Sequence, residues 1–318
     1  MWKAAASILL FAWGSVAGVE EFNGRWNITV FGEARNRAWW LEVKGAETPQ
    51  PEGWFVGAPG GGLDRIPNLE IRDGELSFSF ERGFRIKAGE PPVQAKGLWR
   101  ARLKDGKLEG TFELAGHNAP PLKWIGVRAP QIADRDDGTW REGKPVELFN
   151  GKDLSNWLPM IPGRELGWTV RDGIMTNVEG ANNLVSREKF WNFRLHAEFR
   201  LGPHSNSGIG LRGRYEVQII DDYGRPPGKQ SNGAIYSRIA PSENASRPPG
   251  EWQSFDVTLI GREVTVFVNG RKVIDRRQIE GLTAMAHDPN EGEPGPISLQ
   301  GDHGVVEFRK LTVTPLVR

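Results

Sequence analysis

Residues 192–200 read NFRLHAEFR, a strict alternation of apolar and polar side chains. Successive side chains of a β-strand point to opposite faces, so Phe193, Leu195, Ala197 and Phe199 would share one buried face. Further strand-like segments follow at 252–260, 263–268, 272–275, 297–300 and 305–314. Asn269-Gly270 separates two of them, and Asn-Gly between apolar runs predicts a tight hairpin. This half of the chain is therefore predicted to be a two-sheet antiparallel sandwich.

Shorter strand-like runs fill the first part of the chain. They lie at 26–31, 39–44, 54–57, 75–80, 98–103, 108–114 and 123–127. Asp73-Gly74 and Asp105-Gly106 stand between such runs, and Asp-Gly is a strong hairpin signal. Hairpins in series predict an up-and-down antiparallel sheet or a small β-barrel.

Composition agrees with an all-β protein. The 318 residues include 40 Gly, 22 Pro and 10% aromatic side chains, which indicates many turns around large buried rings. The chain has no Cys, so no disulfide contributes to its stability. Because the formal net charge is only +1, no general electrostatic attraction to nucleic acid is expected.

The chain divides into four predicted segments. Residues 1–18 combine Lys3, an apolar run at 4–13 and small residues at 15–17, as in a secretory signal peptide. Residues 19–127 form the N-terminal β domain, whose function the sequence does not assign. Residues 128–145 have the composition of a linker, and 146–318 form the second domain. We therefore expect an exported protein, periplasmic or secreted, with no membrane anchor.

A polar strand face provides the first candidate site. In residues 215–221, Glu216 and Gln218 share the face opposite to the apolar residues, about 7 Å apart. Asp221 has the wrong parity to join them unless a β-bulge intervenes. A conventional retaining glycosidase needs two carboxyl groups about 5–5.5 Å apart, and this spacing does not secure such a pair. A merely solvated strand face is the alternative interpretation.

Two more segments contain groups suited to proton transfer or charge stabilisation. Gly301-Asp302-His303-Gly304 would present His303 at a turn, and a histidine can accept or donate a proton near neutral pH. Arg212 lies in 206–214, where a guanidinium on a concave face could stabilise an oxyanion. An incidental turn histidine and an exposed arginine are the alternatives.

No firm metal signature is present. His196 and Glu198 share one strand face, a spacing that allows metal coordination with a further group but is nonspecific. The sequence therefore neither predicts nor excludes a bound divalent metal.

The second domain resembles the 3-keto-disaccharide hydrolase domain family over about residues 146–313. The opening motif is LFNGKDLSNW at 148–157. Matching motifs follow in family order at 192–195, 198–200, 206–209, Arg212, 215–219, 233–236, 249–253, 268–270 and 295–304. One departure is Lys310, where the family usually has Asn.

The resemblance implies a concanavalin A-like jelly-roll sandwich that cleaves the glycosidic bond of oxidised sugars. Proton abstraction at C2, elimination and then hydration would need a base, an oxyanion stabiliser and a proton donor, and no cofactor. For these roles, His303 is the predicted base because it lies in a Gly-flanked loop and can be neutral near pH 7, Glu216 is the rival base, and the permanently charged Arg212 is the predicted oxyanion stabiliser. Substrate-binding roles fall to Glu198, Gln218, Asp221, Tyr236 and Gln300.

The predicted partner is a carbohydrate, an oxidised glycoside, and the resemblance makes no prediction of oligomeric state. We expect Glu216, Gln218, Arg212, Glu198 and His303 to converge on one concave face. A noncatalytic, lectin-like carbohydrate-binding module is the alternative function, because a jelly-roll fold does not by itself fix an activity.

Overall fold

The structure, a computed structural model, describes residues 18–32, 36–57, 61–84 and 92–318. The predicted signal segment lies outside these ranges except for Gly18. The described residues form β-strands and one 3₁₀ turn, Val19–Phe22, and contain no α-helix. No helix in the described ranges is long and apolar enough to cross a membrane.

The first part of the chain forms one curled antiparallel sheet of nine strands. Its strands are β1 (Gly24–Val30), β2 (Arg37–Lys44), β3 (Glu52–Val56), β4 (Asp64–Arg65), β5 (Glu70–Arg72), β6 (Glu75–Phe84), β7 (Val93–Lys104), β8 (Lys107–Leu114) and β9 (Leu122–Arg128). The spatial order is β4-β3-β2-β1-β9-β8-β7-β6-β5. Because β4 and β5 are close in sequence, the two edges of the sheet meet, and Arg82 Nη1 donates to Asp64 Oδ2 across the seam at 2.9 Å. The predicted up-and-down sheet or barrel is confirmed.

Aromatic rings fill the inside of this curled sheet. Trp99 contacts Trp39, Phe55, Phe78 and Phe112, with ring centroids 4.5–6.1 Å apart. Such pairs add about 0.5–1.5 kcal/mol each beyond the apolar area that they bury. This core stabilises a domain that has no disulfide.

The Asp-Gly and Asn-Gly hairpins form as predicted. Asp73 and Gly74 have φ values of 52° and 71°, and Asp105 and Gly106 have 50° and 72°. Asn269 and Gly270 adopt the same left-handed pair of conformations, at 52° and 78°. Two consecutive positive φ values define the type I′ turn, whose twist matches that of the flanking strands.

The second part of the chain forms two further antiparallel sheets. Their strands are β10 (Arg141–Glu142), β11 (Val146–Phe149), β12 (Trp157–Pro159), β13 (Trp168–Arg171), β14 (Ile174–Asn177), β15 (Leu184–Phe190), β16 (Phe193–Leu201), β17 (Asn206–Leu211), β18 (Tyr215–Ile220), β19 (Gln253–Ile260), β20 (Glu263–Val268), β21 (Arg271–Gln278), β22 (Gly295–Leu299) and β23 (Val306–Val317). The larger sheet has the order β13-β14-β23-β16-β19-β20-β21, and β10 and β11 also pair with β23. The smaller sheet has the order β12-β15-β22-β17-β18.

One hydrophobic core lies between these two sheets. Phe193, Leu195, Ala197 and Phe199 of β16 enter it, as their alternation predicts. Val217 and other apolar residues of β18 enter it from the smaller sheet. The predicted two-sheet sandwich is confirmed, and its architecture is the jelly roll that the family resemblance implied.

The two parts of the chain pack closely against each other. Strand β2 is buried on both faces, because Trp39 enters the N-terminal core while Trp40 packs on Leu282 and Ala286 of the sandwich. Glu291 is fully buried beside them, and its Oε2 accepts from Asn27 Nδ2 of β1 at 2.8 Å. The segment predicted as a linker also contacts the sandwich, because Asp134 accepts hydrogen bonds from Trp191 and Asn192.

Candidate functional site

The site begins on the outer face of the smaller sheet of the sandwich. Tyr215, Val217 and Ile219 of β18 point inward, so Glu216 and Gln218 point outward, as their parity predicts. The alternative of a merely solvated face does not hold, because Glu216 and Gln218 are only 3% and 2% exposed. A buried carboxylate and amide on an outer face indicate that other parts of the chain cover them.

Glycines on the neighbouring strand make room for the Glu216 side chain. Gly208 and Gly210 of β17 lie opposite Gln218 and Glu216. A Cβ at Gly208 would lie 2.6 Å from Glu216 Oε1, closer than real Cβ atoms approach. The carboxyl group of Glu216 therefore lies over bare backbone, and only glycine at position 208 allows this placement.

Burial changes the protonation of Glu216. It raises the pKa of this carboxyl to about 8, an effect that the charge of His303 opposes and that of Asp302 reinforces. In the amide orientation that satisfies its neighbours, Gln218 Nε2 donates to Glu216 Oε1 at 3.2 Å and to the Ser207 carbonyl at 3.1 Å. Glu216 is therefore mainly protonated at neutral pH and can donate a proton.

His303 lies in the loop that joins β22 to β23, near enough for its charge to affect the pKa of Glu216. Its Nδ1 is 2.9 Å from Asp302 Oδ1, and this hydrogen bond is the main cause that raises the pKa of His303. An Asp that accepts the Nδ1 proton leaves Nε2 free to act as a base. His303 is half-exposed, so the free nitrogen is accessible from solvent.

The glycines around His303 are needed for close packing. Neither Gly301 nor Gly304 has a positive φ, so the turn does not depend on a left-handed glycine. A Cβ at Gly301 would lie 2.7 Å from the Asn182 carbonyl oxygen, and one at Gly304 would lie 2.3 Å from Ser205 Oγ. The loop therefore lies against its neighbours with no room for a side chain at either position.

A cleft of about 880 Å³ opens in front of His303. It is lined by Gly83, Pro92, Arg164, Glu179, Gly180, His204, Asn206, Asp302, His303 and Gly304. This volume lies within the range of about 300–1,000 Å³ that is usual for small-molecule sites. Arg164, Glu179, His204, Asn206, Asp302 and His303 contribute polar and charged side chains to this lining.

Tyr236 and Gln300, which were predicted to bind substrate, contact the backbone around Glu216. The Tyr236 N–H donates to the Glu216 carbonyl at 3.0 Å, and the phenol pKa is raised by burial and then by the charge of Glu216. The Gln300 N–H donates to the Gly208 carbonyl at 2.9 Å, and Gly208 pairs with Gln218 on its other side. The three residues therefore lie side by side across adjacent strands. Gln300 Oε1 is buried and accepts no hydrogen bond from the described part of the chain.

Arg212 does not reach this site, so its predicted place on the concave face is wrong. Strand β17 ends at Leu211, and Arg212 enters the following turn with φ 52°. Its guanidinium is fully buried, donates to the Gly261 carbonyl and lies 4.2 Å from the centroid of the Trp191 ring. Arg212 therefore holds the fold together away from the cleft.

The prediction that Glu198 shares one concave face with Glu216 is also wrong. Its neighbours Ala197 and Phe199 enter the core from the larger sheet, so Glu198 points away from the sandwich on the opposite side from Glu216. There its carboxylate accepts from Arg309 Nε at 2.5 Å and lies 3.4 Å from His196 Nε2. Two stacked sheets are about 10 Å apart, so Glu198 and Glu216 cannot meet.

Asp221 has a supporting position. The pairing of β17 with β18 contains no bulge, so Asp221 does not join Glu216 and Gln218 on their face. Its Oδ2 instead accepts from the His204 N–H at 2.9 Å. Asp221 therefore orients a loop that lines the cleft.

His196 and Glu198, which the sequence analysis considered as possible metal ligands, form hydrogen bonds with neighbouring side chains. His196 Nδ1 lies 2.7 Å from Asp256 Oδ1, and this bond is the main cause that raises the His196 pKa. Within the described ranges, no group of three or more His, Cys, Asp or Glu side chains is arranged to hold a metal ion.

Arg164 is a cleft residue that the sequence did not single out. It lies in an irregular segment without a motif, and its Nη2 donates to the Gly180 carbonyl at 2.6 Å. Its charge helps to lower the pKa of Asp302, whose burial alone would raise it. A permanently charged guanidinium in the cleft can bind an oxyanion, the role first assigned to Arg212.

Comparison with known proteins identifies a family for most of the sandwich. The profile of the 3-keto-alpha-glucoside-1,2-lyase-like domain matches residues 144–314, which confirms the resemblance found in the motifs. No curated protein matches the chain.

Several solved structures are similar to part of the chain. A candidate glycosyl hydrolase from Parabacteroides distasonis is 22% identical, with 54% of this chain and 94% of that chain covered and a TM-score of 0.46. A second from the same organism is 25% identical, with 54% and 100% covered and a TM-score of 0.43. The carbohydrate-binding module CBM66 of Bacillus subtilis is 10% identical, with 50% and 92% covered and a TM-score of 0.32.

Proposed function

The chain belongs to the 3-keto-alpha-glucoside-1,2-lyase-like domain family, and on that premise we propose that it cleaves 3-keto-glycosides by elimination followed by hydration. The observation that carries the proposal is the Asp302–His303 pair, which faces the cleft within electrostatic range of the buried Glu216. His303 and Arg164, a base and a cation, line one cavity of the size that a small glycoside needs, and the buried acid Glu216 is within electrostatic range of His303.

The chemistry follows from the ketone. A carbonyl at C3 acidifies the hydrogen at C2, so a base removes that proton and the C–H electron pair forms an enolate. The enolate then forms the C1–C2 double bond as the C1–O bond breaks, and the leaving oxygen takes a proton. Water finally adds its hydroxyl to C1 and a proton to C2, which gives net hydrolysis. This series of reaction steps involves no net oxidation or reduction, so it needs no redox cofactor.

His303 is the proposed base. Asp302 accepts the Nδ1 proton, which orients the ring and stabilises the imidazolium that forms when Nε2 takes the C2 proton. The raised pKa of His303 makes it a stronger base than a free imidazole.

Glu216 is the proposed acid. Its pKa of about 8 keeps the carboxyl protonated at neutral pH, so it is poised to supply a proton near the departing oxygen. Asp302 and Glu216 thus have opposite protonation states, the first set by its histidine partner and the second by burial. Environments that separate two carboxyl pKa values are typical of acid–base sites.

Arg164 replaces Arg212 as the proposed stabiliser of the enolate. It lines the cleft with His303, whereas Arg212 is buried against Trp191. Gln218 contacts the Glu216 carboxyl and Tyr236 its backbone carbonyl, while Gln300 contacts the neighbouring Gly208; these three are the proposed donors and acceptors for sugar hydroxyls.

Incubation with a 3-keto-disaccharide beside its unoxidised parent tests the proposal. We expect cleavage of the keto sugar alone, because only its C2 hydrogen is acidic. Cleavage of the parent would indicate a conventional glycosidase, and binding of either sugar without turnover would indicate the lectin-like alternative. Both outcomes contradict the proposal.

We also propose that the protein acts outside the cytoplasm. The short apolar run at residues 4–13, followed by small residues at 15–17, supports this proposal. Detection of the mature chain in a periplasmic or culture fraction tests it, and an uncleaved chain found only in the cytoplasm contradicts it.

A further inference from the structure

The N-terminal domain contributes to the cleft in front of His303. Gly83, at the end of β6, and Pro92, just before β7, line the cleft with His204, Asp302 and His303 of the sandwich. The family profile begins only at residue 144, so this contribution comes from outside the matched domain.

Buried contacts fix the N-terminal domain in this position. Trp40 is fully buried and its ring centroid lies 4.1 Å from the Arg238 guanidinium. Glu291 receives hydrogen bonds from Tyr215 at 2.7 Å and from Asn27 of the N-terminal domain at 2.8 Å. A buried carboxylate that is paired across an interface is costly to separate, so the interface resists opening.

A second contact reaches the segment that carries Tyr236. The Leu63 N–H donates to Ser237 Oγ at 2.7 Å, and Ser237 has a left-handed φ of 59°. A non-glycine residue is uncommon in that conformation, so the contact helps to hold it. The charge of Asp64, from β4, also contributes to the raised pKa of Tyr236. The N-terminal domain therefore both lines the cleft and positions a residue beside Glu216.

We propose that the N-terminal domain is the specificity-determining wall of the cleft. It limits the substrate to short oxidised glycosides that fit about 880 Å³, and it excludes long glycans that would extend past Pro92. This inference rests on the proposed function for the identity of the substrate, but the wall itself is a geometric feature that can be tested separately.

Because the chain has no Cys, a single introduced thiol can carry a label of chosen size. Pro92→Cys places it at the exposed rim of the cleft. Lys107→Cys is the matched control, because Lys107 is also exposed but follows the far end of β7, roughly 40 Å along the strand from Pro92. Both variants are labelled with a small and a bulky maleimide.

The bulky label at position 92 should lower kcat/KM for a 3-keto-disaccharide by about tenfold or more and affect a methyl 3-keto-glycoside much less. The label at position 107 should leave both substrates unaffected. Equal effects on the two substrates, or no difference between positions 92 and 107, would overturn the inference.

Modification of His303 by diethyl pyrocarbonate separates the wall from the proposed reaction. Mass spectrometry should show that the bulky label at position 92 protects His303 and that the label at position 107 does not. If the unmodified protein cleaves no 3-keto sugar, the proposed function fails, but this protection still decides whether position 92 shields the cleft. Equal modification of His303 in both labelled proteins would contradict the proposal that the N-terminal domain forms a wall of the cleft.

Discussion

At the scale of single residues, the proposed site combines two carboxyl groups in contrasting environments. Asp302 is paired with His303, which lowers its pKa against the effect of burial, whereas Glu216 has no cationic partner at hydrogen-bond distance within the described residues. Burial therefore keeps Glu216 neutral near pH 7. His303 is hydrogen-bonded to Asp302 and within electrostatic range of Glu216, and it is the proposed proton-transfer group.

Replacement of His303 tests its role as base. His303→Asn should lower turnover of a 3-keto-glycoside by roughly 10²–10⁴-fold, the usual contribution of a general base, while folding is retained. His117→Asn is the matched control, since His117 lies in the N-terminal domain outside the cleft. Steady-state kinetics with both variants measures the effect. Near-full turnover by His303→Asn would assign the base elsewhere, first of all to Glu216.

The pH dependence of the rate distinguishes these two bases. In the proposed mechanism His303 must lose its proton and Glu216 must keep its own, so the rate should rise through the raised His303 pKa and fall as pH passes about 8. Glu216→Gln cannot titrate, so the fall at alkaline pH should disappear and the maximum rate should decrease. A rate of the unmodified enzyme that rises through pH 8 would instead identify Glu216 as the base.

Burial of Glu216 also makes the stability of the protein depend on pH. Between the ordinary Glu pKa near 4.5 and about 8, the unfolded chain has lost the Glu216 proton and the native chain retains it. The free energy of unfolding should therefore fall with pH in this window, by at most about 1.4 kcal/mol per pH unit. Glu216→Gln should remove this slope, which urea unfolding at pH 5 and pH 7.5 would measure. An equal slope in both proteins contradicts the burial of an unpaired carboxyl.

At the scale of strands, β17 decides where the Glu216 carboxyl lies. Gly208→Ala needs no unusual φ, but its Cβ would lie 2.6 Å from Glu216 Oε1 and would displace that flexible side chain. We expect a loss of turnover of about tenfold or more with little change in melting temperature. Gly202→Ala is the control, because nothing lies within 4 Å of its Cβ position. Unchanged turnover of Gly208→Ala would show that the placement of Glu216 is unimportant.

Alternation predicted the strands and their faces, but it could not assign each face to a side of the sandwich. It correctly put Glu216 with Gln218, and it correctly put Glu198 opposite the core residues of β16. Glu198 and Glu216 nevertheless point away from each other, because they belong to different sheets. Arg212 was misplaced for a local reason, since the strand ended at Leu211 and the arginine followed a turn.

At the scale of the whole molecule, the sequence predicted two β units but gave no sign of how they meet. Residues 39 and 40 are both Trp, and only the structure shows that one enters the N-terminal core and the other the interface. Likewise Arg164 and Pro92 occupy segments without periodicity or motif, so no local signal could place them in the cleft. Long-range packing decided these positions.

The interface makes a prediction about stability. A Cβ at Gly281 would lie 2.1 Å from Trp40 Nε1, and Gly281 has no positive φ to be strained. Gly281→Ala should lower the free energy of unfolding by about 1–3 kcal/mol, the usual cost of overpacking. Denaturant unfolding beside Gly202→Ala measures this difference. Equal stability of the two variants would show that Trp40 is free to move away and that the interface is loose.

Hydrogen exchange at C2 of the sugar tests the central claim most directly. A 3-keto-disaccharide is incubated with the protein in heavy water, and the released keto sugar is analysed by NMR or mass spectrometry. Elimination followed by hydration predicts one solvent deuterium at C2, with its appearance strongly slowed in His303→Asn. Hydrolysis that releases the sugar with its original hydrogen at C2 would contradict proton abstraction, and with it the roles assigned to His303 and Glu216.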